Sequence, residues 1–172
     1  MPSSFVDSVP SIIKRIIDLN PKSVVDIGPG WGKYGLMCRE YLPGLGRIDA
    51  VEVTQGRMPL QDHIYNHIVV TDVRNVNPAL WSAYDLVLMI DVIEHMPKID
   101  GQRILGDIIN HGASVLVSTP KIFEEQSDPH NPFETHVSLY SWEDFWHPGM
   151  ADHINIDDST TDSVIMTLVP KG

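Results

Sequence analysis

The chain has 172 residues, of which 42% are hydrophobic and 20% are charged, and its formal net charge is −11. These values are typical of one globular domain over residues 1–172 and exclude a disordered chain. With 12 lysine and arginine residues and no basic run, we expect no nucleic-acid partner. The sequence shows no membrane span or signal peptide, and its single cysteine, Cys38, excludes an intrachain disulfide. We therefore expect a cytoplasmic protein without a membrane partner.

The first part of the chain predicts a helix, a strand, a glycine-rich turn and a second helix. Apolar residues at helical spacing predict an N-terminal helix within residues 1–20, which ends at Asn20-Pro21. The apolar run 23–27 predicts a buried strand, and residues 31–41 predict the helix after the turn. The unit is therefore strand, glycine turn, helix.

Strands and helices continue to alternate along the rest of the chain. The later segments are predicted as strands over 47–53, 67–70, 85–90 and 114–118, and as helices over 59–65, 78–81 and 98–110. The polar segment 121–138 is a long connection without periodicity, and such connections are usually functional. A helix is expected to begin at Ser141, with Asp144 in the acid position of a capping box, before two closing strands over 153–156 and 163–169.

This alternation predicts an α/β fold with a doubly wound, mostly parallel sheet and right-handed crossovers, and the closing hairpin adds an antiparallel strand at an edge. Such a sheet binds its ligand beyond the carboxyl ends of its strands. Gly28, Glu52, Asp72 and Asp91 all follow or end predicted strands. We therefore expect these four residues to meet at one edge of the sheet.

The glycine turn has two interpretations. Gly30, Gly32 and Gly35 fit the spacing of the dinucleotide-binding pattern, which is weak by itself. Gly28, Gly30 and Gly32 instead occupy every second position, and Asp26 lies two residues before the first of them. An acid at this place repels a pyrophosphate but suits a cationic ligand that carries an ammonium group and a sulfonium.

Two acids after the following strands are candidates for nucleoside recognition. Glu52 lies about 20 residues beyond the turn, where an acid accepts hydrogen bonds from ribose hydroxyl groups in nucleotide-binding α/β folds. Asp72 could accept a hydrogen bond from an adenine amino group, with Val73 against the ring. The alternative for Asp72 is a purely structural role in the turn at Thr71-Asp72.

Two motifs together resemble those of the class I S-adenosylmethionine-dependent methyltransferases. They are Val25-Asp26-Ile27-Gly28-Pro29-Gly30-Trp31-Gly32 and Asp91-Val92-Ile93-Glu94-His95. The second is similar to the fourth-strand motif of members that act on small molecules, quinone precursors and sugars. The resemblance covers about residues 23–145 and implies a Rossmann-like, seven-stranded sheet whose last strand is antiparallel. It also implies an enzyme that transfers a methyl group from S-adenosylmethionine to an oxygen or nitrogen atom of a small molecule or sugar-like metabolite.

The resemblance assigns each part of the cofactor to residues of this chain. The methionine end falls to the acid and the glycines of the turn, namely Asp26, Gly28, Gly30 and Gly32. By the same resemblance, Glu52 binds the ribose, Asp72 and Val73 bind the adenine, and Asp91 lies beside the reacting centre.

Histidines near the fourth strand and in the long segment are candidates for the acceptor side. His95 is the best-placed general base, since its unperturbed pKa lies near neutrality, and Asp91 could serve instead. The alternative is that Glu94 and His95 only cap the next helix or pack structurally. The remaining candidates are His130, His136 and Trp142 with its neighbours Phe145 and Trp146. They would shape the substrate pocket together with segment 121–138 and the N-terminal helix.

We predict no metal site, because Glu94, His95, His130 and His136 contain no i, i+4 pair on a recognisable helix. Two other functions stay open: a nucleotide-binding Rossmann oxidoreductase, and a non-catalytic module that binds an S-adenosyl ligand. The sequence gives no indication of the oligomeric state.

Overall fold

The computed structural model describes residues 4–54, 61–123, 125–145, 153–157, 160 and 162–170. Across these residues the α-helices are α1 (Ser8–Leu19), α2 (Lys33–Tyr41), α3 (Gln61–Ile64) and α4 (Lys98–Asn110). The strands are β1 (Ser23–Ile27), β2 (Arg47–Glu52), β3 (Ile68–Val70), β4 (Leu86–Ile90), β5 (Ser114–Pro120), β6 (His153–Asp157) and β7 (Ser163–Val169). Short 3₁₀ helices occupy Val73–Asn75, Pro78–Ala83, Ile93–His95, Pro132–Glu134 and Trp142–Phe145.

The seven strands form one sheet in the order β3-β2-β1-β4-β5-β7-β6. The first five strands are parallel, and β7 is antiparallel to both β5 and β6. The order reverses between β1 and β4, so a crevice for a ligand is expected beyond the carboxyl ends of these two strands. The predicted doubly wound sheet with an antiparallel C-terminal hairpin is confirmed.

The sequence led us to expect the antiparallel strand at the edge of the sheet, but this strand does not lie there. β7 is inserted between β5 and β6, and β6 is the edge strand. The composition explains this difference, because β7 is mainly apolar and largely buried, whereas polar residues alternate with isoleucines in β6. A strand covered on both faces needs apolar residues throughout, and an edge strand tolerates this alternation.

The sheet separates two hydrophobic cores because successive side chains of a strand point to opposite faces. Val24 packs on one face with Ile12 of α1 and Cys38 of α2. Val25 packs on the other face with Ile104 of α4 and Trp81. The helices thus cover both faces, while the carboxyl ends of the parallel strands stay open to a ligand.

Most element bounds agree with the predicted ones within a few residues. α4 begins and ends as predicted, and β5 extends two residues further, to Pro120. Of the helix predicted over 59–65, residues 59 and 60 lie outside the described residues. Asp144 acts as predicted in capping, since its Oδ2 accepts hydrogen bonds from the backbone N (2.7 Å) and the hydroxyl (3.1 Å) of Ser141. Among the described residues, every helix is too short or too polar to cross a bilayer.

Candidate active site

The glycine turn after β1 depends on left-handed backbone at three positions. Gly28, Gly30 and Gly32 have φ values of 62°, 55° and 80°. At Gly28 a Cβ atom would also lie 2.7 Å from Cγ2 of Val92, so the turn can pass close to the segment after β4 only without a side chain. The backbone N of Gly28 donates to the carbonyl oxygen of Val51 at 2.9 Å, which joins the turn to β2.

Asp26 lies at the base of this turn and is buried. Its Oδ2 accepts a 2.6 Å hydrogen bond from the hydroxyl group of Tyr65. Burial raises the pKa of Asp26 to about 7, the negative charge of Glu52 adds to the rise, and the hydrogen bond from Tyr65 opposes it. A Cβ atom on Gly35 would collide with the hydroxyl group of Tyr65, so this glycine of α2 makes room for the contact. Tyr65 was missed in the sequence, where no motif marks it.

Glu52 ends β2, and its side chain is held in place by the next turn. Its Oε1 accepts hydrogen bonds from the backbone N and the hydroxyl of Thr54, both at 3.0 Å. The residue is 8% exposed. The carboxylate is therefore fixed at the carboxyl end of β2, where the sequence placed it.

Asp72 follows β3 and takes part in a local ion pair. Its two carboxylate oxygens each lie 3.0 Å from Nε of Arg74, and Oδ1 also accepts from the backbone N of Arg74 at 2.9 Å. These contacts lower the pKa of Asp72. The carboxylate thus makes the local structural contacts that the sequence left as an alternative. A purine amino group that bound to this carboxylate would share it with the guanidinium of Arg74. The neighbouring Val73 is buried.

Asp91 follows β4 in a conformation that is rare for a residue with a side chain. Its φ is 56°, in the left-handed region that usually favours glycine. Its Oδ1 accepts a 3.0 Å hydrogen bond from the hydroxyl of Ser118, whereas its buried Oδ2 has no hydrogen-bond partner in the described part of the chain. Burial raises the pKa of Asp91, and the nearby hydroxyl groups of Ser4 and Ser118 oppose the rise. A buried acceptor without a donor calls for a ligand that donates.

Glu94 and His95 lie in the 3₁₀ helix that follows Asp91. The ring Nδ1 of His95 lies 3.1 Å from the carbonyl oxygen of Thr135. A carbonyl only accepts, so we assign the proton to Nδ1, which leaves a lone pair on Nε2. Burial lowers the pKa of His95. Burial also raises the pKa of Glu94 to about 8, with the charge of Asp91 adding to the effect.

Of the other predicted substrate residues, only His136 joins this group. Its ring stands edge-on to that of His95, with 4.8 Å between ring centroids. His130 lies earlier in the same segment with an exposed side chain, and its backbone N donates to Asp128. The side chain of Trp142 is also exposed, while Phe145 is buried against Tyr140. Trp146 lies outside the described residues.

Two adjoining pockets form one cleft at the carboxyl ends of β1 and β4, since they share lining residues in the turn and after β4. The shared residues are Gly28, Gly30, Asp91, His95 and Glu134. The first pocket continues along β2 and β3 and is further lined by Glu52, Asp72, Val73, Met96 and Phe133, among others. The second continues towards the N-terminal segment and is further lined by Asp26, Ser4, Lys33, Glu94 and His136, among others.

This cleft combines the predicted residues with several that the sequence did not reveal. Asp26, Gly28, Gly30, Glu52, Asp72, Val73, Asp91 and His95 all line it. Ser4, Phe5 and Glu134 line it without having been predicted individually. They come from the segment before α1 and from segment 121–138. The sequence predicted that these two parts of the chain shape the acceptor site, but it did not single out these three residues.

The order of the strands and the position of the cleft are those of the class I methyltransferase fold, and comparison with solved structures finds this fold repeatedly. Human N-acetylserotonin methyltransferase in complex with S-adenosylmethionine is 11% identical and superposes with a TM-score of 0.65 over 96% of this chain and 52% of that one. An O-methyltransferase family protein from Burkholderia thailandensis is 13% identical, with a TM-score of 0.61 over 96% and 57% of the two chains. The N-terminal domain of EvdMO1, in the presence of S-adenosylhomocysteine and D-fucose, is 14% identical, with a TM-score of 0.67 over 98% and 85%.

These likenesses are structural, at low sequence identity. The chain spans only slightly more than half of the first two proteins. No protein-family model and no curated protein matches the sequence.

Proposed function

We propose that the chain is an S-adenosylmethionine-dependent methyltransferase that acts on an oxygen or nitrogen atom of a small polar molecule, such as a sugar-like metabolite. The proposal depends most on one observation: two acids flank the glycine turn, and one oxygen of Asp91 is buried there with no hydrogen-bond partner among the described residues. Asp26 is buried on the other side, where the phenol of Tyr65 donates to it. Acids in this position favour a cationic ligand and repel a pyrophosphate.

The cofactor roles follow from where each residue lies in the cleft. Asp26, Asp91, Gly28 and Gly30 line the cleft and would hold the methionine end, whose ammonium group would donate hydrogen bonds to the two acids. Gly32, which the sequence also assigned to this end, does not line the cleft as described, and a Cβ atom on it would meet Ile64 and Tyr65 instead. Glu52 would accept hydrogen bonds from the ribose hydroxyl groups. The adenine would lie against Val73, with Asp72 as its polar neighbour.

S-adenosylmethionine, when bound, supplies a methyl group on a positively charged sulfur. The chain then has to hold an acceptor atom in line with that methyl group and keep water out, and such orientation can be worth roughly 7–11 kcal/mol. His136 lines the second pocket, which extends towards the N-terminal segment, and Glu134 lines both pockets. They belong to the part of the cleft in which we place the acceptor.

An acceptor hydroxyl or amine loses a proton during methyl transfer, and His95 is the side chain that we assign to take it. The Nδ1–H of its ring is engaged by Thr135, so the Nε2 lone pair is the basic site. Burial lowers its pKa, which keeps the ring neutral near pH 7. Asp91 is the second candidate, at the same end of β4.

Two features support a small polar acceptor. The acceptor part of the cleft carries polar side chains from several elements, including Ser4, Lys33 and Gln126. One protein of the same fold, EvdMO1, has been crystallised in the presence of D-fucose. The net charge of −11 also disfavours a nucleic-acid acceptor.

Calorimetric titration of the protein with S-adenosylhomocysteine and, separately, with NAD tests the cofactor assignment. We expect binding of S-adenosylhomocysteine and none of NAD; binding of NAD alone would overturn the proposal in favour of an oxidoreductase. Incubation with S-adenosylmethionine and a panel of hexoses, deoxyhexoses, phenols and amines then tests catalysis. Release of S-adenosylhomocysteine that depends on one acceptor identifies the substrate class. Cofactor binding without turnover on any member of the panel would favour the non-catalytic module.

A further inference from the structure

Three side chains with metal-ligating atoms converge at the acceptor side of the cleft. They are Glu94 and His95, from the 3₁₀ helix after β4, and His136, from segment 121–138. One carboxylate oxygen and one ring nitrogen of each histidine all lie within 4.8 Å of one another. Ligands of a divalent transition metal lie about 2.0–2.2 Å from the ion. Binding of one ion would draw these three groups closer together than they lie in the ligand-free chain.

The ring of His95 is already oriented as a metal ligand requires. Its Nδ1–H is engaged by the carbonyl oxygen of Thr135 at 3.1 Å. Metal-bound histidines commonly donate their second ring N–H to such an acceptor, which fixes the tautomer and the plane of the ring. The nitrogen that keeps its lone pair is Nε2.

Contacts from segment 121–138 and from β5 surround Glu94. The backbone N atoms of Val137 and Ser138 donate to the carbonyl oxygen of Glu94 at 2.9 and 3.2 Å. They fasten His136, which directly precedes Val137, to the end of β4. The carboxylate of Glu94 accepts from the hydroxyl of Thr119 at 3.2 Å. The backbone of segment 121–138 and the 3₁₀ helix that carries Glu94 and His95 thus form one hydrogen-bonded unit.

The electrostatics of this unit also favour a cation. Glu94 is 2% exposed. Among the described residues, no lysine or arginine forms an ion pair with it. A buried carboxylate is costly unless it is paired or bound to a metal. A cation that is also bound by the two imidazoles would neutralise the carboxylate of Glu94.

We propose that Glu94, His95 and His136 bind a divalent transition-metal ion with coordination positions left open for the acceptor. This proposal replaces the prediction of no metal site, because the fold brings together ligands that are far apart in the sequence. Two imidazoles and one carboxylate favour Zn²⁺ or Co²⁺ over Mg²⁺ and Ca²⁺, which prefer oxygen ligands. Three protein ligands are also the number found in catalytic zinc sites, which keep a position for water or substrate.

This placement narrows the class of acceptor, a step that rests on the proposed methyl transfer. All three ligands line the pocket that also contains Asp26 and Asp91, so an ion there would border the same space as the cofactor acids. Such an ion lowers the pKa of an O–H group bound at an open position, as it does that of bound water, which favours an acceptor with hydroxyl groups, such as a vicinal diol. His95 would then be a metal ligand rather than the proton acceptor.

The test is titration of tag-free, chelator-treated protein with CoCl₂, followed by visible absorption and by calorimetry. We expect one bound equivalent with the intense d–d bands of a four-coordinate site, formed by three protein ligands and one water. His136→Gln and, separately, Glu94→Gln should weaken Co²⁺ binding by about 100-fold. His130→Gln is the matched control in the same segment and should bind Co²⁺ as the wild type does.

Thermal unfolding and calorimetry with S-adenosylhomocysteine are measured on every variant, so that a loss of metal binding is separated from a loss of fold. Weak Co²⁺ binding to the wild type, or binding unchanged in both folded variants, overturns the metal site. If the wild type binds S-adenosylhomocysteine but not Co²⁺, the metal site fails and the proposed function stands. If it binds Co²⁺ but not S-adenosylhomocysteine, the proposed function fails and the metal site stands.

Discussion

The hydroxyl group of Tyr65 donates a 2.6 Å hydrogen bond to the buried carboxylate of Asp26. Tyr65 directly follows α3 and Asp26 lies in β1, so this contact joins a helix that covers the sheet to the base of the glycine turn. It supplies one hydrogen-bond donor to a carboxylate that is buried away from water. In our proposal the ammonium group of the ligand supplies another.

Asp26→Asn is expected to weaken the binding of S-adenosylhomocysteine by about 10- to 100-fold, since a hydrogen bond to a charged group contributes about 1.5–3 kcal/mol. Calorimetry measures the affinity directly. Asp85→Asn is the matched control, because Asp85 lies at the opposite end of the sheet and caps the backbone N atoms of Lys22 and Ser23. Equal affinities of the wild type and Asp26→Asn would remove Asp26 from the binding site.

The affinity for S-adenosylhomocysteine should rise by about tenfold from pH 6 to pH 8, if only the ionised form of Asp26 binds the ammonium group. Burial raises the pKa of Asp26 to about 7, so the free protein carries it mostly protonated at pH 6. The groups that interact with it are Tyr65, Glu52, Tyr34 and Cys38. Asp26→Asn should lose this dependence, and an equally steep dependence in the variant would assign the titration to another group.

The same pKa predicts the opposite effect of pH on the stability of the ligand-free protein. Because the folded-state pKa of Asp26 lies above its ordinary value of 3.8, the contribution of this group is fully present below pH 3.8. That contribution is lost as the pH rises through about 7. At pH 8 ligand-free Asp26→Asn should therefore unfold at a higher temperature than the wild type, which calorimetric scanning measures. A lower melting temperature would show that the ionised carboxylate stabilises the fold.

Gly35→Ala is expected to destabilise the protein by about 1–3 kcal/mol, the usual cost of overpacking a core. The added methyl group would collide with the hydroxyl of Tyr65 and push it away from Asp26. Urea unfolding gives the free energy, and the affinity for S-adenosylhomocysteine should fall as well. Gly112→Ala is a useful contrast because open space surrounds Gly112 but its φ is 87°, so it reports backbone strain without a collision. A stable Gly35→Ala variant would mean that α3 moves freely relative to β1.

Glu52→Gln should reduce the affinity for S-adenosylhomocysteine by about tenfold or more, because ribose hydroxyl groups hydrogen-bond more strongly to a charged acceptor. Asp72→Asn should have a smaller effect, since Arg74 already engages both oxygens of Asp72. The exposed Glu143 provides a neutral control as Glu143→Gln. A larger loss for Asp72→Asn than for Glu52→Gln would reverse the two assignments.

His95→Ala should lower kcat by about 100-fold or more, the usual contribution of a positioned acid–base group. The change in affinity for S-adenosylhomocysteine should be much smaller, since we place His95 at the acceptor side. Rate measurements at saturating cofactor, together with calorimetry, separate the two effects. An unchanged kcat would show that His95 is not the group that takes the proton.

The sequence predicts the strand-turn-helix unit and the residues at the strand ends because local chemistry determines them. Glycine spacing marks the turn at Gly28, and a parallel sheet brings the ends of β1, β2, β3 and β4 to the same edge. The contact between Tyr65 and Asp26 could not be predicted, since it depends on how α3 packs against β1. The pairing of His95 with His136 is equally invisible, because neither lies on a periodic element that relates one to the other. The inner position of β7 could have been inferred from its apolar composition.

The insertion of β7 between β5 and β6 has a consequence for how the protein is made. Residues Val115 to Pro120 of β5 find their second hydrogen-bonding neighbour only in residues Ser163 to Leu168, which are synthesised much later. Until those residues leave the ribosome, an apolar strand presents an open edge of the kind that recruits other chains. β7 therefore covers the open edge of β5 late in biosynthesis. A chain that is shortened to end before residue 163 is expected to aggregate instead of folding.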